Sequence, residues 1–168
     1  IQFSLLKNSP IKINVIITDN IKAKGLTYAD KYKIKKKIIK FNDKGVAENK
    51  ILKILTHNNV KLICLAGFMK VLSKSFIKKF KGKILNIHPS LLPKYKGLNT
   101  HERAINNKEK FSGCTVHFVN HKLDSGKIIL QKKVKVKKND SPSSLSRRIL
   151  KEEHRLYPNA LKKILLNP

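Results

Sequence analysis

Short apolar runs rich in β-branched residues alternate with stretches of helical pattern, and this order limits the folds open to the chain. Residues 11–18 (Ile-Lys-Ile-Asn-Val-Ile-Ile-Thr) read as a strand closed by the turn Asp19-Asn20, followed by a helix over about 21–31. Residues 34–41 read as a second strand. Asp43 can then cap a helix to about His57, with Val46, Ile51, Leu52, Ile54 and Leu55 as its apolar side and Asn58-Asn59 as its stop. Residues 61–66 (Lys-Leu-Ile-Cys-Leu-Ala) are apolar enough for a central strand buried on both faces, and Ser73 caps a short helix to about Phe80. A strand over 84–87 and a helix over 100–107 come next. The strands expected over 112–119 and 127–136 are joined by so short a loop that they must be antiparallel neighbours. Ser141-Pro142-Ser143 opens a closing helix to about Leu166, which Pro158 should kink or divide. The expected fold is α/β, a mostly parallel sheet with antiparallel strands added and helices on both faces.

With 168 residues and 40% hydrophobic content, one domain can bury an adequate core without disulfides or structural metal. Cys64 and Cys114 each sit in an apolar run with no partner at ligand spacing, so both are expected to be buried free thiols of a reducing, cytoplasmic protein. No run has the length of a membrane span, and residues 1–7 lack the layout of a signal peptide and look like the end of an amphipathic helix. The net charge of +28 raises nucleic acid as a partner. The lysines are spread along the chain, however, and arginine, the better phosphate reader, is confined to Arg103, Arg147, Arg148 and Arg155. Lysine, isoleucine and asparagine are all encoded by A/T-rich codons, which accounts for the charge without a polyanion.

Chemistry concentrates where the strand over 84–87 ends. Asn86 and His88 are two residues apart, so their side chains leave the strand on one side, and Pro89 and Pro93 stiffen the chain beyond. Two polar groups there are costly to bury unless they serve each other or a ligand. An amide can donate to an oxyanion, an imidazole can carry a proton, and a carboxylate such as Asp124 can tune that imidazole. Asp124-Ser125-Gly126 is equally ordinary turn chemistry. His117 is either a supporting site residue or a satisfied sheet histidine. No histidine pair has metalloprotease spacing and no Gly-x-Ser-x-Gly elbow occurs, so neither a metal nor a serine nucleophile is expected.

Residues 65–72 (Leu-Ala-Gly-Phe-Met-Lys-Val-Leu), 85–97 (Leu-Asn-Ile-His-Pro-Ser-Leu-Leu-Pro-Lys-Tyr-Lys-Gly), 113–119 (Gly-Cys-Thr-Val-His-Phe-Val) and 123–126 (Leu-Asp-Ser-Gly) together resemble the phosphoribosylglycinamide formyltransferase family. The likeness continues to Glu153-His154 and Tyr157-Pro158. It implies a Rossmann-like formyltransferase fold and transfer of a formyl group from 10-formyltetrahydrofolate to the amine of glycinamide ribonucleotide. By the same likeness Asn86, His88 and Asp124 are catalytic. Met69, Lys70, Val71 and Leu72, with Asn120, His121, Lys122 and Leu123, form the folate wall. Lys44, Pro89 and Glu153 meet the substrate. The residue-level alternatives are that Met69, Val71 and Leu72 are core and Lys44 is a solvated helix charge. Such a family opens with a strand and a glycine-rich phosphate loop that these residues lack, so the expectation is a single domain over 1–168, N-terminally incomplete. Methionyl-tRNA formyltransferase and formyltetrahydrofolate deformylase share the fold and are the nearest alternatives, with a basic RNA-binding protein as a third. A monomer or homodimer acting on small molecules is expected.

Overall fold

The structure, a computed structural model, describes residues 11–166. The helix end expected at residues 1–7 lies outside them. The described residues form two compact units, residues 11–61 with 72–82, and residues 62–71 with 83–166.

In the first unit β1 (Val15–Thr18) pairs in parallel with β2 (Lys35–Ile38), and α1 (Gly25–Lys31), α2 (Lys44–His57) and α3 (Lys74–Lys79) complete it. The strand expected from residue 11 begins only at Val15, where pairing with Lys35 starts, and the Asn14 side-chain amide donates instead to the Asn58 carbonyl at 2.6 Å. Helix α1 also starts later than its pattern suggests. The Asn20 side chain takes the Lys22 N–H at 2.9 Å, a local turn that competes with helix. Asp43 caps α2 by accepting the Val46 N–H at 2.9 Å, as expected. The buried face differs. Val46 is 51% exposed, whereas Glu48 is buried with Ala47, Ile51 and Leu55. Glu48 tolerates burial because its carboxylate accepts both the N–H (2.8 Å) and the hydroxyl (2.5 Å) of Ser73. The Ser73 Oγ in turn accepts the Phe76 N–H and caps α3.

The second unit is a four-stranded sheet in the order β3 (Leu62–Leu65), β4 (Lys83–His88), β5 (Phe111–Phe118), β6 (Ile128–Lys135), with α4 (Thr100–Asn106) and α5 (Pro142–Leu166). β3 and β4 are parallel, while β4, β5 and β6 pair antiparallel, the last two as the expected hairpin. The expectation of a doubly buried central strand at 61–66 is corrected: β3 is the outer strand of its sheet among the described residues, and Cys64 is exposed. Cys114 is buried, as expected, and its thiol is pushed up to about 12, by burial first, with Glu153 and Glu152 adding.

α5 covers one face of this sheet, burying Leu145, Ile149, Leu156 and Ala160 against Leu85, Cys114, Val116 and Ile129. Its start is closed by reciprocal bonds between Ser141 and Ser144, and by Arg148 gripping the buried Asp140 carboxylate. The helix runs through Pro158 without division. One residue earlier, the Tyr157 hydroxyl bonds the carbonyls of Leu65 (3.0 Å) and Leu85 (3.3 Å), which ties α5 to two strands. No helix of the described residues is long and apolar enough to cross a membrane.

Candidate active site

Strand alternation sorts β4 by face. Leu85 joins the core under α5, while Asn86 and His88 point the other way, opposite His117 and Thr115 of β5. The pleat thus puts two imidazoles and an amide at the carboxyl end of β4, the edge at which open α/β sheets bind ligands.

His88 is closed to solvent except for 6% of its side chain. Its Nδ1 lies 3.3 Å from Asp124 Oδ2, and its Nε2 donates to the Tyr95 carbonyl at 2.8 Å. A carbonyl can only accept, so Nε2 carries a hydrogen and Nδ1 is the nitrogen free to gain or lose one. Asp124, with a side chain 9% exposed, accepts the Gly97 N–H at 2.9 Å through the same Oδ2. Its other oxygen lies 3.7 Å from His117 Nε2. Asp124 is a turn residue, with φ at 43°, and its carboxylate also lies against His88.

His117 donates from Nδ1 to the Phe118 carbonyl at 2.8 Å, which leaves its Nε2 to accept from the Asn86 amide at 3.4 Å. Burial pushes the His117 pKa down, outweighing the Phe118 carbonyl and Asp124, which favour the charged form. The neutral ring suits this role, because it offers Asn86 a lone pair. An amide NH₂ has a second hydrogen, which remains for a ligand oxygen.

Other expected site residues divide by location. Met69 is 75% and Val71 52% exposed on the segment that leaves β3, and Leu123 is exposed in the loop before Asp124. The core reading therefore fails for Met69 and Val71. It holds for Leu72, which is buried and belongs to the first unit. Lys70, His121 and Lys122 are exposed. Asn120 organises its loop by accepting the Lys122 N–H (2.9 Å) and the Ser125 hydroxyl (3.2 Å). Gly126 closes that loop so tightly that a Cβ there would strike the Phe118 carbonyl. Pro89 is half-buried directly after His88. Glu153 is half-buried on α5, and burial raises its carboxyl. Lys44 opens α2 in the first unit and lines a cavity of about 290 Å³ with Glu48, Ser73 and Lys79.

Residue patterns alone miss three contributors. The Tyr95 carbonyl and Gly97 N–H hold His88 and Asp124, and backbone groups leave no mark in side-chain chemistry. The Tyr-Lys-Gly run was the available clue, since Tyr95 (φ 55°) and Gly97 (φ 77°) make a left-handed turn. The third is His101, whose Nδ1 is buried without a partner among the described residues. Burial lowers its pKa, and so does His88. Beneath these, Thr115 Oγ1 donates to the Ser90 carbonyl (2.6 Å) and accepts from Leu92 N–H and Gln131, fastening the chain after His88 to β5. Among the described residues no three His, Cys, Asp or Glu side chains gather as a metal site.

Known proteins are similar to this chain over most of its length. A family model described as formyl transferase matches residues 3–161. A phosphoribosylglycinamide formyltransferase of Haemophilus influenzae is 42% identical over 156 residues, covering 91% of this chain and 74% of that protein. The trifunctional purine biosynthetic protein adenosine-3 of Homo sapiens is 40% identical over 157 residues, and the chain spans only 16% of its length. The crystal structure of phosphoribosylglycinamide formyltransferase from Brucella melitensis superposes with a TM-score of 0.89 at 42% identity, covering 97% of this chain and 85% of that one.

Proposed function

The chain belongs to the formyl transferase family, and on that premise we propose that it moves the formyl group of 10-formyltetrahydrofolate to the amine of glycinamide ribonucleotide, a step of purine synthesis. The observation that carries this reading is the nearly closed His88–Asp124 pair, with the Asn86 amide on the same face of β4.

The substrate amine adds to the formyl carbon, and the carbonyl electrons move to oxygen. Asn86 donates its second amide hydrogen to that oxyanion, with imidazolium His88 beside it. Collapse of the adduct breaks the bond to the folate nitrogen, which needs a proton as the incoming amine loses one. His88 relays that proton through Nδ1, since its Nε2–H stays on the Tyr95 carbonyl. Asp124 Oδ2 faces Nδ1 at 3.3 Å and orients the ring.

Exposed Met69, Val71 and Leu123 suit the flat face of a pterin, and the backbone of Asn120, His121, Lys122 and Leu123 offers donors and acceptors to its edge. Lys70 belongs to that wall in this reading. Pro89, directly after β4, and Glu153 of α5 meet the nucleotide substrate in this reading, and Lys44 of the first unit carries a charge of the sign a phosphate binds. The family match runs through both units, which supports reading them as one formyltransferase domain. The enzyme would be cytoplasmic, a monomer or homodimer, and would require no metal.

Incubation of the full chain with 10-formyltetrahydrofolate and glycinamide ribonucleotide tests the reading. The expected products are formylglycinamide ribonucleotide and tetrahydrofolate in equal amounts. Formate release without an acceptor would replace the reading with hydrolysis. Formylation of methionyl-tRNA, or salt-sensitive RNA retention with no turnover, would also overturn it.

A further inference from the structure

The Tyr95–Gly97 turn does two things at once: its Tyr95 carbonyl takes His88 Nε2–H, and its Gly97 N–H holds Asp124. A tyrosine at φ 55° is strained by about 1 kcal/mol or more, and such a residue persists only where its surroundings hold it. Most of that hold comes from α4 and the residues just after it. Arg103 Nη1 donates to the carbonyls of Lys96 (2.7 Å) and Leu98 (3.3 Å), and the guanidinium lies 5.1 Å from the Tyr95 ring centroid. The Tyr95 hydroxyl donates to Glu109 (2.9 Å) and accepts from Asn107 (3.0 Å), while Lys94 pairs with Glu109 at 2.8 Å.

We propose that Arg103 is a positioning residue for formyl transfer: by gripping the turn on both sides of Gly97 it aims the Tyr95 carbonyl at His88 and confines the mobile proton of that imidazole to Nδ1. This rests on the reading of His88 as the acid and base. One terminal NH2 serves both carbonyls while the planar guanidinium lies over the Tyr95 ring, and lysine has no such plane to set those two bonds and the ring contact together. Arg103 itself touches neither His88 nor Asp124 in any of these bonds. It acts through the turn, and the alternative is that it merely stabilises an exposed loop.

The test uses the full chain with Arg103→Ala and Arg103→Lys. Ring-nitrogen NMR reads the His88 tautomer, assigned by the signal lost in His88→Ala. Steady-state kinetics and thermal melting accompany it. In the parent, neutral His88 should hold its hydrogen on Nε2. Arg103→Ala should give a mixture of tautomers and lower kcat about tenfold, with KM for both substrates changed less than about twofold. Arg103→Lys should restore the melting temperature and neither the tautomer nor kcat. An unchanged tautomer and kcat in Arg103→Ala, with only a lower melting temperature, would overturn the proposal. If Arg103→Ala does not fold, Arg103→Gln, whose NH2 is on a shorter side chain without the charged guanidinium plane, is read by the same criteria. Full transfer by His88→Ala would remove the acid and base reading, while the tautomer would still judge Arg103 separately.

Discussion

His88 Nδ1 and Asp124 Oδ2 face each other at 3.3 Å with both side chains almost closed to solvent, and the Gly97 N–H shares the same carboxylate oxygen. The carboxylate is therefore oriented before any ligand arrives. A base and its orienting partner held in this way lose little freedom when they act.

His88→Ala should lower formyl transfer at least about 100-fold while the chain stays folded, the range for removing a general acid or base. Asp124→Asn keeps an acceptor for Gly97 and loses only the charge, so its defect should appear in kcat more than in the melting temperature. Circular dichroism beside a transfer assay separates the two effects. Full activity in either variant would remove the proposed mechanism.

Asn86 and His117 are cross-strand partners joined by the 3.4 Å amide contact. Asn86→Leu should cost about 100-fold in kcat or more, as the loss of an oxyanion donor does. His117→Ala leaves that donor in place and frees it to turn, so a smaller loss of about tenfold is expected. Equal losses in the two variants would contradict this division of roles.

His101 and His117 both have folded-state pKa values lowered, mainly by burial. Between those values and the unfolded value of about 6.5, the unfolded chain binds more protons, so stability rises with pH and reaches its full value above about 6.5. Urea unfolding between pH 5.5 and pH 7.5, chosen as about one unit on either side of that value, should show this rise. The double variant His101→Gln with His117→Gln should have a flatter slope than the parent.

Asp140 is held by Arg148 well below the usual carboxylate range, with the Lys137 N–H and the Ser144 hydroxyl assisting. Its contribution to stability is present above the unfolded pKa of about 3.9 and is lost as pH falls through the lower folded value. Asp140→Asn should therefore melt below the parent at neutral pH, with the gap closing under acid. A gap as wide at pH 2, about two units below the unfolded value, as at neutral pH would mean that packing dominates.

Residues close in sequence announced much of this architecture. Asp43 and Ser73 cap α2 and α3 through bonds to backbone three residues away, and a cap needs nothing beyond its own helix. The i, i+2 spacing of Asn86 and His88 put both on one side of β4 for the same local reason. Packing across the first unit was less legible. Glu48 is buried and Val46 exposed because Ser73, distant in sequence, satisfies the carboxylate.

Sequence by itself determined which chemistry was available: an amide, an imidazole and a carboxylate, the order of strands and helices, and the likeness to a formyltransferase. Only the tertiary structure decided that His88 meets Asp124, that His117 rather than a ligand holds one Asn86 hydrogen, and which nitrogen of His88 can move a proton. Identity and spacing are written into the chain residue by residue. Distances between remote side chains, and the aim of a carbonyl such as that of Tyr95, exist only once the sheet has paired and the turn is gripped by the residues packed against it.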